Sequence, residues 1–316
     1  MKSGKYPLTL IHVGLPKCAS SFMQAKVLPR MTGNYCNLTV ELLENVNSAT
    51  FSPELFLNMV DDYAKKATYR NRLNRLISKN HRLEILSSEF LSGRHSTTVG
   101  QECDGIITAN NLKLAYPNAK ILMMIREQKK YLLSAYAFRV ACYGFETSTF
   151  EEWLTRKIKQ GIIEKLKYDI LAKHYIDLFG KENVLILPME MIYMDSNRFY
   201  KMLLSFAKVA SFEIPRKSQV NPSPKGDKIL SLHRSANKML APLSTMAMKF
   251  GTEKVRNGLY RFKSSVINPF LLRCYSNESS LSVPEEIIEK YADDFRESNQ
   301  FISMVSKVDL TEFGYL

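Results

Sequence analysis

The sequence predicts an α/β fold, a three-layer α/β/α arrangement around a central parallel sheet, and three observations carry that expectation. Four short runs are aliphatic and nearly continuous in apolar character: residues 8–13 (LTLIHV), 83–87 (LEILS), 120–125 (KILMMI) and 183–187 (NVLIL). Strands covered on both faces read this way, because side chains pointing in either direction meet apolar neighbours. The runs are separated by stretches with helical apolar spacing, which is the pattern of parallel strands joined by helical crossovers. With 45% hydrophobic residues in 316, the chain has material for a substantial core. The expected layout is a core over residues 1–228 and a mainly helical C-terminal extension over 229–316, packed together as one domain.

Taken in order, the first strand is broken by Gly14-Leu15-Pro16-Lys17, and Ser20-Ser21 start a helix through Phe22, Met23, Ala25 and Val27. Residues 38–77 predict two helices divided at Ser52-Pro53, with a basic polar face over 63–82. The second strand runs into Ser87-Ser88-Glu89. A helix through Ala109 to Ala115 stops before Pro117, and the third strand follows, with Arg126 directly at its end. Residues 127–142 and 150–179 predict two helices separated by a loop with Gly144 and Thr147, and the fourth strand ends at Pro188-Met189-Glu190. Beyond a helix over 197–208, the segment 211–228 is loop-like, with Pro215, Pro222, Pro224 and Gly226. A basic amphipathic region over 229–272, a Ser/Asn-rich break over 276–282 and a charged helix from Pro284 to Val305 complete the chain. There is no internal repeat.

Lys and Arg exceed Asp and Glu by 44 − 31 = 13, so the surface field favours anions: nucleotides, acidic glycans, nucleic acids or anionic lipid. The basic faces over 63–82 and 229–273 are expected to be solvated surfaces, with contact to an acidic acceptor or a membrane surface as the functional alternative. The five cysteines are widely spaced without a CxxC pair, which favours a reducing compartment and gives no zinc or dithiol motif. The apolar run from Leu8 to Leu15 is too short for a signal peptide core or a membrane span, so a cytoplasmic location is expected unless an N-terminal anchor was removed. The aromatic residues show no RNA-recognition pattern, and no nucleic-acid partner is expected.

In an open parallel sheet, ligands bind beyond the carboxyl ends of the strands, and the first loop-to-helix turn offers unpaired N–H groups to an anion. The segment HVGLPKCASSF occupies that position. It lacks the G-x-x-x-x-G-K-[ST] spacing of an ATP or GTP phosphate loop, which disfavours a nucleotide kinase. Pro16-Lys17-Cys18-Ala19-Ser20-Ser21, followed by Phe22, resembles instead the 5′-phosphosulfate loop of the sulfotransferases that use 3′-phosphoadenosine 5′-phosphosulfate (PAPS), which reads roughly PK(T/C)(G/A)(S/T)(S/T). That family's 3′-phosphate motif is an arginine at a strand end with a serine eight positions later, and Arg126 and Ser134 have this spacing. A guanidinium can fork onto phosphate oxygens, while a serine just over two helical turns on reaches the same group. Tyr136 fits the family's frequent Ser-x-Tyr. Arg126-Glu127-Gln128 departs from the usual Arg-Asn-Pro. Lys225 and Gly226, in NPSPKG, resemble a late loop that closes over the adenine and the 3′-phosphate.

The resemblance implies sulfuryl transfer from PAPS to a hydroxyl or amine, with adenosine 3′,5′-bisphosphate as product, no metal, and Lys17 stabilising the leaving group. The PKCASS loop is nearest the glycan-modifying members, so a carbohydrate or polysaccharide acceptor is expected. The general base remains open among Glu89, which follows the second strand, and Glu41 and Glu44, which lie 24 and 27 residues beyond Lys17. His81 and His95 flank the Glu89 strand, and His12 reads as a core residue. Cys18 reads as a small filler. A noncatalytic protein of the same fold, holding a nucleotide or an anionic glycan, is the alternative of a different class.

Overall fold

The computed structural model describes residues 8–31, 35–37, 83–92, 104–141, 146–210, 212, 227–249, 258 and 281–316. Among them are five parallel strands, β1 (Leu8–Gly14), β2 (Tyr35–Asn37), β3 (Leu83–Ser88), β4 (Lys120–Ile125) and β5 (Val184–Pro188), in the order β2-β3-β1-β4-β5. The sequence anticipates four of them. The three-residue β2 escapes because its Tyr-Cys-Asn stretch carries no apolar run. Every residue of β3 is buried, as are the last five of β1 and of β4, so both faces of the sheet centre are covered. The helices that flank the sheet complete the expected α/β class.

One face of the sheet presents Ile11, Val13, Leu86 and Ile121 to Ala109 and Leu112 of α3 (Asp104–Ala115) and to Tyr175 and Phe179 of α7 (Tyr168–Phe179). These positions share a face because side chains alternate along a strand. On the opposite face, His12 lies level with Ser87, and their side chains share a 2.7 Å hydrogen bond. Gln24 donates to the same Ser87 hydroxyl at 3.1 Å, which docks the first helical segment on this face. That segment is three consecutive pieces, α1 (Ser20–Phe22), a π-helical turn (Met23–Val27) and α2 (Leu28–Met31).

The stretch 150–179, expected as one helix, is three: α5 (Phe150–Lys159), α6 (Ile162–Leu166) and α7. Gly161 at φ 79° makes the first break, a left-handed turn that glycine adopts without a Cβ clash. Lys167, at φ −81° and ψ 83°, makes the second. Neither break disturbs the apolar spacing, so periodicity alone runs through both.

The chain divides into two compact units. The first contains residues 1–127, 161–220 and 291–316; the second contains 128–160 and 221–290. The first holds the sheet, together with α8 (Met191–Met194) and α9 (Ser196–Ala207), whose N-cap Asp195 accepts from the Arg198 N–H. The second is built on α4 (Gln128–Ala141), α5 and α10 (Asp227–Lys249). Tyr136 is buried there against Phe150 and Trp153, at ring separations of 5.2 and 5.5 Å. Its hydroxyl donates to the Ser148 carbonyl and accepts from Arg234, while Asn237 ties the carbonyls of Val140 and Glu146. Thr149 and Glu152 form a capping box at the start of α5. The final helix is α11 (Glu285–Ser306), whose Ser298 hydroxyl, in the first unit, accepts from the Asp169 N–H at 3.2 Å. The expected helices within 38–77 lie outside the described residues.

Candidate functional site

The sheet order places a switch point between β1 and β4. The chain leaves β1 toward β2 and β3 on one side, and leaves β4 toward β5 on the other. Loops that depart in opposite directions open a crevice at the carboxyl ends of two adjacent strands, where open α/β sheets take their ligands. In this register Gly14 pairs with Met124, so the turn after β1 and the turn after β4 begin side by side.

The first turn is closed by its own backbone. The Cys18 N–H and the Ser20 hydroxyl both donate to the Leu15 carbonyl at 3.2 Å, and the Met23 N–H reaches the Ala19 carbonyl at 2.9 Å. Lys17 and Ala19 both have φ 63°, in the left-handed region that costs a residue with a Cβ about 1 kcal/mol. Two such residues within three positions are a local strain that the surrounding packing must hold, and left-handed turn residues help build the N–H nests that receive anions. Gly14 allows the turn to close: a Cβ there would stand 2.4 Å from the Ser20 Oγ. Pro16, Cys18, Ser20 and Phe22 are buried, while Lys17, Ala19 and Ser21 are partly exposed. Cys18 is buried and forms no disulfide. Ser20 spends its hydroxyl proton on closing the loop.

The second turn carries Arg126. Its guanidinium Nη1 donates to the Lys17 carbonyl at 2.9 Å, joining two motifs 109 residues apart. Its Nε is buried without a hydrogen-bond partner among the protein atoms. A buried N–H left unmade costs about 1–3 kcal/mol, which a bound anion would recover. The Arg126 carbonyl accepts from the Tyr168 hydroxyl at 2.6 Å, and the Glu127 N–H donates to Glu190 Oε1 at 3.2 Å. Glu190 Oε2 accepts in turn from the Tyr315 hydroxyl at 3.1 Å. Burial raises the Glu190 carboxyl above the usual carboxylate range, opposed by its hydrogen bonds and by the Arg126 charge. Burial, together with the facing Glu190 charge, pushes the Tyr315 hydroxyl well above the ordinary tyrosine range.

Glu89 opens a 3-10 turn, Glu89–Ser92, directly after β3, and the Ser92 hydroxyl of that turn donates to the Gly14 carbonyl at 3.2 Å. The backbone at Glu89 is thereby tied to the mouth of the first loop. His12 is completely buried, with Nε2 unpartnered, and burial lowers its pKa from 6.5 to about 4, so it is neutral near pH 7. Ser134 lies partly buried on α4, in the second unit. Glu41, Glu44, Lys225 and Gly226 lie outside the described residues, as do His81 and His95. Among the described residues, no three or more His, Cys, Asp or Glu side chains are grouped to hold a metal, and no helix is long and apolar enough to cross a membrane.

Sequence reasoning missed Glu190, Tyr315 and Tyr168. Glu190 had a signal, since it stands at the carboxyl end of a strand in Pro188-Met189-Glu190; the two tyrosines had none, because each lies on a helix or tail far from any motif.

No protein-family model matches the chain. Its structure is similar to the crystal structure of a sulfotransferase from Alicyclobacillus acidocaldarius, with 18% sequence identity over 81% of this chain and 99% of the other, and a TM-score of 0.41. The fold and the site rest on the sheet order and the contacts above.

Proposed function

We propose that this protein is a sulfotransferase that moves a sulfuryl group from PAPS to a hydroxyl of an acceptor, and that the acceptor is a carbohydrate. The observation that carries the reading is the hydrogen bond between Arg126 and the Lys17 carbonyl, with the Arg126 Nε left over. A nucleotide with anionic groups on both its 5′ and 3′ oxygens needs two anion sites held in fixed relation, and these two turns are joined directly. A triphosphate nucleotide needs one longer cradle, for which the loop lacks the spacing.

Under this reading the loop amides, that of Ser20 among them, and Ser21 hold the 5′-phosphate, and Arg126 takes the 3′-phosphate. The acceptor oxygen attacks sulfur, the bond from sulfur to the 5′-phosphate oxygen breaks, and adenosine 3′,5′-bisphosphate leaves. Negative charge grows on that oxygen, where Lys17 and the loop N–H groups stabilise it. The acceptor proton goes to a carboxylate, for which Glu89 is favoured by its turn's tie to Gly14; Glu41 and Glu44 remain the rivals. The excess of basic residues favours an acidic acceptor over a cationic amine, and the likeness of the PKCASS loop to glycan-modifying members favours a carbohydrate.

The test is transfer of 35S from labelled PAPS to a panel of glycans, phenols and amines. Labelled glycan, lost in Lys17→Ala, is the expected result. Tight bisphosphate binding without transfer to any acceptor class would make the protein a noncatalytic nucleotide binder instead.

A further inference from the structure

At the end of β4 the chain must leave the sheet, and the peptide groups there lose their ladder partners. In this protein each is taken by a specific group from elsewhere. The Ile125 carbonyl accepts from the Met189 N–H at 2.8 Å, the Arg126 carbonyl from the Tyr168 hydroxyl, and the Glu127 N–H is accepted by Glu190. The peptide group after the Arg126 Cα is thus fixed at its oxygen and at its N–H by side chains from residues 168 and 190, and the peptide group before it is held by the Met189 backbone N–H. Glu190 is itself fixed, because its second oxygen accepts from Tyr315, a buried side chain from the far end of the chain. Buried side chains that are fully engaged at both ends have no rotamer freedom left, and a guanidinium mounted on such a turn is aimed before any ligand arrives.

We propose that Glu190, held by Tyr315, is a positioning residue for Arg126: it fixes the strand-end turn so that the guanidinium faces the 3′-phosphate of the donor while bonded to the Lys17 carbonyl. The proposal rests on the donor reading given above, because it concerns the 3′-phosphate specifically. Two other roles for Glu190 make different predictions. A carboxylate that merely supports the fold would, on removal, weaken all nucleotides alike. A carboxylate that mainly offsets the Arg126 charge would, on removal, tighten the grip on phosphate.

The experiment measures, by calorimetry, the dissociation constants of adenosine 3′,5′-bisphosphate and of adenosine 5′-monophosphate for the full chain, for Glu190→Ala and Tyr315→Phe, and for each combined with Arg126→Ala. Positioning predicts a bisphosphate affinity lower by roughly tenfold in Glu190→Ala and about threefold in Tyr315→Phe, with the monophosphate unchanged and no further loss in the Arg126→Ala background. Glu190→Gln keeps an oxygen for the Glu127 N–H and should recover most of the loss. Equal loss for both nucleotides, a loss that persists without Arg126, or tighter bisphosphate binding would each overturn the proposal. Circular dichroism checks folding, and Tyr315→Phe, which removes one oxygen, carries the same cycle if Glu190→Ala does not fold. Absence of any bisphosphate preference in the unmodified protein would instead mean that the donor reading has failed and taken this inference with it; a normal preference there with unaffected variants would overturn the inference alone.

Discussion

The turn after β1 and the turn after β4 stand side by side and are built in opposite ways. The first is closed mainly within its own ten residues, where Leu15 accepts from Cys18 and Ser20, Ala19 accepts from Met23 and Gly14 leaves the space that Ser20 fills, with Ser92 and Arg126 adding bonds from outside. The second makes few bonds within itself and is held by Tyr168, Glu190 and Tyr315, drawn from 42, 64 and 189 residues beyond Arg126. A local loop can be strained, as at Lys17 and Ala19, because neighbouring bonds hold it. The turn after β4 has few such bonds of its own, so its geometry depends on distant packing. Function that needs both turns therefore depends on the whole first unit being folded.

The largest expected effect tests whether the two turns act together. Lys17→Ala and Arg126→Ala should each lower transfer by about a thousandfold, the upper range for removing a charge-stabilising donor. Steady-state rates with labelled PAPS check this, and the double variant should lose little more than either single one if the turns form one unit.

Next comes acid stability, which probes what lies beneath the first turn. His12 has a folded pKa of about 4 against 6.5 for the free side chain, lowered by burial. Because the unfolded chain takes the proton first, the contribution of neutral His12 is complete above pH 6.5 and is lost as pH falls from there toward 4. Over that window the loss approaches about 3 kcal/mol. Urea midpoints measured between pH 7 and 4 should fall more steeply for the unmodified protein than for His12→Gln.

The close approach at the start of the loop is a smaller matter. Gly14→Ala puts a Cβ 2.4 Å from the Ser20 Oγ, so either the serine or the strand must shift. A cost of about 2 kcal/mol is expected, read as a lower melting temperature with nucleotide affinity reduced in parallel. The smallest effect belongs to the second turn. Tyr168→Phe removes one hydroxyl from the Arg126 carbonyl and should cost about 1 kcal/mol, a loss that differential scanning calorimetry resolves.

What was legible in the sequence follows the same division. The loop after β1 lies in one contiguous stretch, and its Pro-Lys, Ala-Ser-Ser and preceding apolar run are visible together. Arg126 was legible because KILMMI is an unmistakable buried strand and the arginine ends it. Its supports were not, since a hydroxyl at 315 meeting a carboxylate at 190 is a property of the folded chain that no spacing encodes. The expected single helix over 150–179 failed for a related reason: left-handed Gly161 and the extended ψ of Lys167 turn the backbone without interrupting the apolar repeat. β2 was missed because three residues at an edge need no apolar signature.

The account stands most directly on one titration. Calorimetry of the unmodified protein with adenosine 3′,5′-bisphosphate, adenosine 5′-monophosphate and ATP should give a bisphosphate affinity above both others by at least roughly tenfold, the worth of one charge-assisted contact, and that preference should vanish in Arg126→Ala. Equal affinity for the mono- and bisphosphate, or tightest binding of ATP, would contradict a donor site made from these two turns.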